Sequence, residues 1–186
     1  MSENNSNHPN SAATLISPSL TGVWKADPSS SSLAFSVGQM FVGRLRGRFT
    51  DFEVTTIARE DPRESSVTAS IGLKSVSTGN ATRDHHVRSV GYFDAEKYPV
   101  AGYRSTGILS DGDGWLIDGE LTLHGVTLPL RLAVAVSGSV EEAQNTSRAR
   151  FTATGEFSRR DFGISTGIPI VGDRVCLSIA LEVAHE

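Results

Sequence analysis

Cysteine is nearly absent: the chain of 186 residues holds one, Cys176. A single thiol excludes an internal disulfide framework and any multi-cysteine zinc site, and a lone buried thiol ordinarily behaves as an inert small hydrophobe. No apolar run approaches the ~20 residues that a helix needs to span a bilayer. The N-terminal stretch MSENNSNHPNSAATLISPSL carries neither the basic segment nor the apolar segment of a secretory leader, so the expected compartment is the cytoplasm. Positive charge is short as well: 17 basic against 21 acidic residues leave a net charge of −4, which argues against a general nucleic-acid binder.

What is present fits one folded domain with a tail. A hydrophobic content of 38% and a charged content of 20% are those of a soluble globular chain, and the length suffices for a sizeable core. Residues 1–20 are rich in Ser, Asn and Pro and poor in apolar side chains. Such a segment cannot bury enough surface to offset its ordering entropy, so a disordered tail is expected over 1–20 and the domain over 21–186.

From Trp24 onward the dominant period is two. Leu33, Phe35 and Val37 share one face, as do Leu45, Gly47 and Phe49, with Arg44, Arg46 and Arg48 opposite. Phe52 and Val54 continue the apolar series after an odd step from Phe49, which predicts a bulge at Thr50-Asp51. Val67, Ala69, Ile71 and Leu73 alternate with polar residues, and a strand from Gly102 to Leu109 holds Tyr103. The SDGDG turn is a hairpin signal. Beyond it, Trp115, Ile117, Leu121 and Leu123 alternate, then Val126 to Val136, then Phe151, Ala153 and Phe157, and last Val175 to Val183. Pro129 falls on the polar parity of its strand, which predicts an edge or a bulge there; 138–146 reads as a polar connection. Roughly eight strands, each with one dry and one wet face, predict an antiparallel sheet closed into a sandwich or barrel.

One long stretch, Ser75 to Pro99, does not follow that period. Asn80 is placed to cap a short helix from Ala81, and Pro99 ends a turn that Asp94 is placed to cap. Its adjacent histidines, His85 and His86, point about 100° apart on a helix and so chelate one ion poorly, and no GxSxG nucleophile elbow exists anywhere in the chain. An enzyme or metal-binding protein using Asp84, His85 and His86 is therefore the second reading. A protein-interaction module with a filled core is the third. The Arg44, Arg46 and Arg48 stripe is either a solvated face or a surface for anionic lipid heads.

Four segments in order resemble the YceI-like family: SSLAFSV with RLRGRFTDFEV; the S-V-x-T, R-D-x-x-x-x-S and F-D-x-x-x-Y-P elements of Ser75 to Pro99; GELTLHGVTLPLRL; and RRDFGIS with GDRVCLSIALEVA. The resemblance covers Gly22 to Ala184. It implies an all-β, lipocalin-like, extended antiparallel β-barrel of eight strands with one or two short helices. It also implies binding of a polyisoprenoid or similar long-chain lipid without catalysis. Many family members are secreted, whereas no leader is expected from the N-terminal stretch here, and the chain carries Gly38-Gln39 where a basic residue and a histidine often follow the first strand.

The first reading is thus a cytoplasmic lipid-binding barrel that sequesters or transports an isoprenoid chain of polyprenyl or quinone type. It requires no cofactor, takes no nucleic acid, touches membrane surfaces transiently, and leaves a homodimer open. Small residues on the inward parity (Gly47, Ala69, Gly119, Ala153 and Gly155) are expected to leave room for the chain. The expected ligand contacts on the strands are Phe35, Val37, Leu45, Phe49, Ile71, Leu73, Tyr103, Leu121, Leu123, Phe151, Leu177 and Ile179. Phe41, Phe93 and Phe162 are expected nearer the ends, and Arg83 and His86 at a lid or head-group contact.

Overall fold

Period-two alternation with one dry face has to be closed against itself or against a second layer, and this chain closes it. The computed structural model describes residues 21–41, 43–143, 146–167 and 170–186; the expected 1–20 tail lies outside them. Eleven strand segments follow in order: β1 (Gly22–Ala26), β2 (Ser32–Gln39), β3 (Gly43–Phe49), β4 (Phe52–Ala58), β5 (Ser66–Gly72), β6 (Val76–Ser77), β7 (Val100–Asp111), β8 (Gly114–Leu123), β9 (Val126–Ala143), β10 (Thr146–Ser158) and β11 (Val171–His185). The only α-helix among the described residues, α1, spans Ala81–Arg88. No helix among them is long and apolar enough to cross a membrane.

Three pairs of segments are single strands broken by a kink, so the eleven make a closed, antiparallel ring of eight. β1 and β2 both pair with β11, through Trp24–His185 and Leu33–Ile179. β3 and β4 pair in turn with β2 and β1, through Phe35–Gly47 and Trp24–Thr56. β5 and β6 pair with β4 and β3. From β5 the ring runs through β7, β8, β9 and β10 to β11, and β1 closes it.

The kink predicted from the odd step between Phe49 and Phe52 is present. The amides of Thr50 and Asp51 both donate to Ser75 Oγ, at 3.1 and 3.0 Å, and that hydroxyl donates to Gly72 O at 2.7 Å. One serine therefore satisfies the backbone left unpaired at the β3–β4 break and at the adjoining β5–β6 break. Phe49 and Phe52 are consequently both buried.

Pro129 faces Glu120 of β8. The β9–β10 ladder reaches only Ala133–Thr154, so the proline lies where no second neighbour needs its missing N–H. The polar stretch 138–146 differs from expectation: β9 continues to Ala143 and β10 resumes at Thr146, with register shifts around Arg150. A bulge lets the hairpin continue past the apolar residues, so polarity alone did not mark its end.

The two ends of the barrel differ. The helix end carries α1, the β2–β3 tip, the β8–β9 turn and the segment between β10 and β11. The hairpin end carries the β7–β8 turn, the 59–65 turn and the outer ends of β1 and β11. At the helix end Asn80 Oδ1 accepts the Arg83 amide at 2.9 Å, the expected cap. The Asp94 turn is built differently from expectation. Asp94 adopts φ 47°, and its backbone carbonyl, rather than its side chain, accepts the amides of Lys97 and Tyr98 at 2.9 and 2.8 Å.

Candidate functional site

Inward-facing residues of the barrel do not fill it. Phe35, Leu45, Trp115, Val134, Phe151, Leu177, Ile179 and Leu181 point into the lumen yet are only half-buried. A packed core at native density would cover such side chains. They line a cavity of about 470 Å³ instead, which draws its walls from every strand of the ring. On β11 alone the lining extends from Val171 through Val175, Leu177, Ile179 and Leu181 to Val183. From Val175 to Val183 a strand covers ~27 Å. At a barrel tilt of roughly 40° that corresponds to a tunnel at least ~20 Å long.

Of the residues expected to meet a ligand, Phe35, Val37, Leu45, Phe49, Ile71, Leu73, Tyr103, Leu121, Leu123, Phe151, Leu177 and Ile179 all line this cavity. Arg83, His86 and Phe93 line it at the helix end. Phe35, Phe49 and Phe93 form a continuous aromatic run there, with ring centroids 5.5 and 5.8 Å apart.

Phe41 and Phe162 do not line it. Phe41 occupies the β2–β3 tip at φ 66° with 99% of its surface exposed, because the reversal of the chain at the tip breaks the parity that held along β2. Phe162 is only 1% exposed and packs edge-on against Phe157 at 5.3 Å. There it belongs to the packed floor of the helix end, where its carbonyl meets His124 Nδ1 at 3.0 Å.

The glycines on the inward parity also act differently from expectation. A methyl at Gly47 would overlap the ring of Phe35, its cross-strand partner, and one at Gly119 would overlap the ring of Tyr103. These positions therefore seat aromatic rings flat against the wall, and Gly155 does the same for Leu132, 2.7 Å from where a methyl would stand. Ala69 and Ala153, by contrast, face the cavity directly. Tyr103 Oη lies 3.2 Å from Ile117 O and 3.3 Å from Leu130 O, and burial pushes its hydroxyl up to about 12, with Asp118 adding to the shift. It is a neutral wall group at any physiological pH.

Polar groups are confined mainly to the ends. Arg59 and Ser65 stand at the hairpin end, and Gln39, Arg83, His86 and Arg159 at the helix end. Arg159 was not singled out from sequence, although the alternation of Phe151, Ala153, Gly155 and Phe157 continues onto it. It is 5% exposed, the one buried charged residue among those described. Its guanidinium donates to the carbonyls of Gly172, Thr166 and Val171 at 2.8 Å and of Ile164 at 3.1 Å. Arg83 is tied to Thr78, through Oγ1 and the carbonyl, both at 2.8 Å.

The triplet Asp84, His85 and His86 is not gathered into a reacting constellation. Asp84 Oδ1 accepts the hydroxyl and the amide of Thr78 at 2.6 and 2.7 Å, and these bonds hold its carboxyl below the usual range. His85 is exposed and away from the cavity, and the two imidazole centroids are 6.4 Å apart. No group of three or more metal-ligating side chains is found among the described residues.

Comparison with known proteins agrees with this architecture. The chain is 36% identical over 149 residues to Protein YceI of Escherichia coli O157:H7, covering 80% of this chain and 78% of that one. Among solved structures, Burkholderia cenocepacia BcnA superposes with a TM-score of 0.75 at 23% identity, over 84% of this chain and 98% of that chain. A Saccharophagus degradans structure described as a polyisoprenoid binding domain implicated in plant cell wall breakdown superposes with a TM-score of 0.65 at 19% identity, over 88% and 98%. The profile of the YceI-like domain matches residues 24–183, and the chain belongs to that family.

Proposed function

We propose that the barrel binds a long-chain isoprenoid lipid, of polyprenyl or quinone type, in its interior, and sequesters or carries it without a chemical step. The observation that carries this reading is the shape and lining of the cavity: long, narrow, and apolar over its middle. A tunnel of at least ~20 Å exceeds the ~15 Å that one leaflet of hydrocarbon spans, which favours a linear chain longer than an ordinary acyl tail. Each five-carbon isoprene unit contributes about 4 kcal/mol of burial at ~0.8 kcal/mol per carbon. Four units therefore reach roughly 16 kcal/mol, enough to offset an association cost of about 4–15 kcal/mol. The ligand is the only non-protein group the reading needs. The polar end at Gln39, Arg83 and His86 receives the head group, and Phe93 covers the chain beneath it. The description of the Saccharophagus domain as polyisoprenoid-binding supports the same class of ligand.

A chain-length series tests this. Unlabelled prenols of two, four and eight units compete against a fluorescent apolar probe in the purified protein. Affinity rising steeply from two to four units supports a tunnel; affinity independent of chain length contradicts it.

A further inference from the structure

Outside the barrel, the helix end carries exposed apolar side chains that the cavity does not account for. Met40, Phe41 and Ile170 are 47%, 99% and 61% exposed. The Met40 amide donates to Ile170 O at 2.9 Å, so the β2–β3 tip and the segment before β11 form one patch. Phe41 holds a left-handed backbone, unfavourable for a residue with a side chain, and so presents an aromatic ring at the outermost point of the hairpin.

Immediately behind the tip, the wet face of β3 bears Arg44, Arg46 and Arg48. All three are exposed, and none has an ion-pair partner among the described residues. Arg44 donates only to the neutral Ser36 Oγ and Cys176 Sγ, at 3.0 and 3.1 Å. Six arginines elsewhere, at 63, 131, 148, 150, 160 and 174, are ion-paired with carboxylates, Arg148 and Arg150 sharing Glu182. In a protein of net charge −4, this stripe is a local positive field beside an apolar tip.

We propose that this face docks on an anionic lipid bilayer, with Phe41, Met40 and Ile170 entering the interface and Arg44, Arg46 and Arg48 engaging lipid phosphates. The spacing fits. Arg44, the second residue of β3, follows Phe41 by three residues across the tip, at most ~11 Å of chain, comparable with the ~5–10 Å to which interfacial apolar groups insert. On a strand tilted by roughly 40°, Arg48 stands about 10 Å above Arg44, still within a Debye length. Gln39 and Leu45, on either side of the tip, line the cavity, so docking sets its helix end against the membrane. The docking stands on surface residues alone; its use as an entry route for the cavity ligand rests on the lipid-binding reading.

Co-sedimentation with phosphatidylcholine vesicles, alone or with roughly a third phosphatidylglycerol, tests the proposal. The expected result is binding to the anionic vesicles only, abolished by salt near 0.5 M as the screening length shortens to ~4 Å. The triple variant R44Q/R46Q/R48Q is expected to lower the partition up to about 100-fold, at about one arginine's share of surface attraction each. Phe41→Ser, with Ile170→Ser as a second variant, is expected to lower it roughly tenfold. Equal binding to neutral and anionic vesicles, or unchanged partition in the variants, overturns the proposal. So does a concentration-dependent dimer that Phe41→Ser dissociates while vesicle binding is absent, which would give the patch to a second copy. The prenol series run on the same variants separates the two readings: prenol affinity retained with docking lost or never seen concerns this surface alone.

Discussion

Replacing Arg159 should loosen the helix end of the barrel. Its guanidinium donates to four backbone carbonyls, those of Ile164, Thr166, Val171 and Gly172. It makes no ion pair among the described residues. A bond from a charged donor is worth ~1.5–3 kcal/mol net, whereas burying the cation costs several kcal/mol in return. Arg159→Met removes both, so the net effect is set by the carbonyls left behind. Each one that water cannot reach costs ~1–3 kcal/mol. Only the bond to Ile164 is fully buried. Counting that carbonyl and one further carbonyl as stranded gives an expected destabilisation of about 2–6 kcal/mol. Arg159→Lys keeps the charge but not the planar fork, and roughly half the loss is expected. Urea unfolding at unchanged m-value measures the difference. Hydrogen exchange at the Ile164 and Val171 amides, which bond to Arg159 O and Gly167 O, locates it. A loss under ~1 kcal/mol with unchanged exchange at those amides refutes the bracing role.

Two further substitutions probe the walls. Gly119→Val places a side chain where the Tyr103 ring lies and 2.7 Å from Arg104 O, and should destabilise by ~2–4 kcal/mol in thermal or urea unfolding. Combined with Tyr103→Ala, the double variant should lose clearly less than the sum of the two single losses, since they share one contact. Because Thr78 holds the Asp84 carboxyl below its ordinary value, the folded-state value lies under the unfolded one. Its contribution is complete above about pH 4 and disappears as the pH falls below that. Asp84→Asn should therefore flatten the fall of melting temperature on the acid side of pH 4; identical acid limbs would rule the brace out.

Much of the barrel was legible because parity is a local property. Leu33, Phe35 and Val37, or Leu177 and Ile179, need only a strand and one dry side to be placed in the lumen, and the odd step from Phe49 to Phe52 located the kink by counting. What parity does not carry is register between strands. That Gly47 seats Phe35 and Gly119 seats Tyr103 depends on which residues lie across the ladder, so both glycines read as empty space until the pairing was known. Phe41 lies outside the cavity lining for the complementary reason: a hairpin tip with a left-handed residue ends the alternation. Arg159 was missed although parity pointed at it, because a charge at an inward position is offset by carbonyls of Ile164 and Thr166, in an irregular segment that no period describes, and of Val171 and Gly172 at the start of β11. Ser75 likewise reads as one more serine, and only the meeting of two strand breaks gives its hydroxyl three partners.

A lipid tunnel and an incompletely packed core differ in what the lumen holds. Organic extraction and mass spectrometry of the protein purified from cells decides between the two, alongside a Leu121→Trp variant, which enlarges a side chain that lines the cavity. A lipid tunnel yields about one equivalent of a long apolar isoprenoid per chain in the original protein, and loses it in the variant. It also implies a stability change in the variant below the ~1–3 kcal/mol of an overpacked core. No extractable lipid, together with a Leu121→Trp variant that unfolds as an overfilled core does, would contradict it.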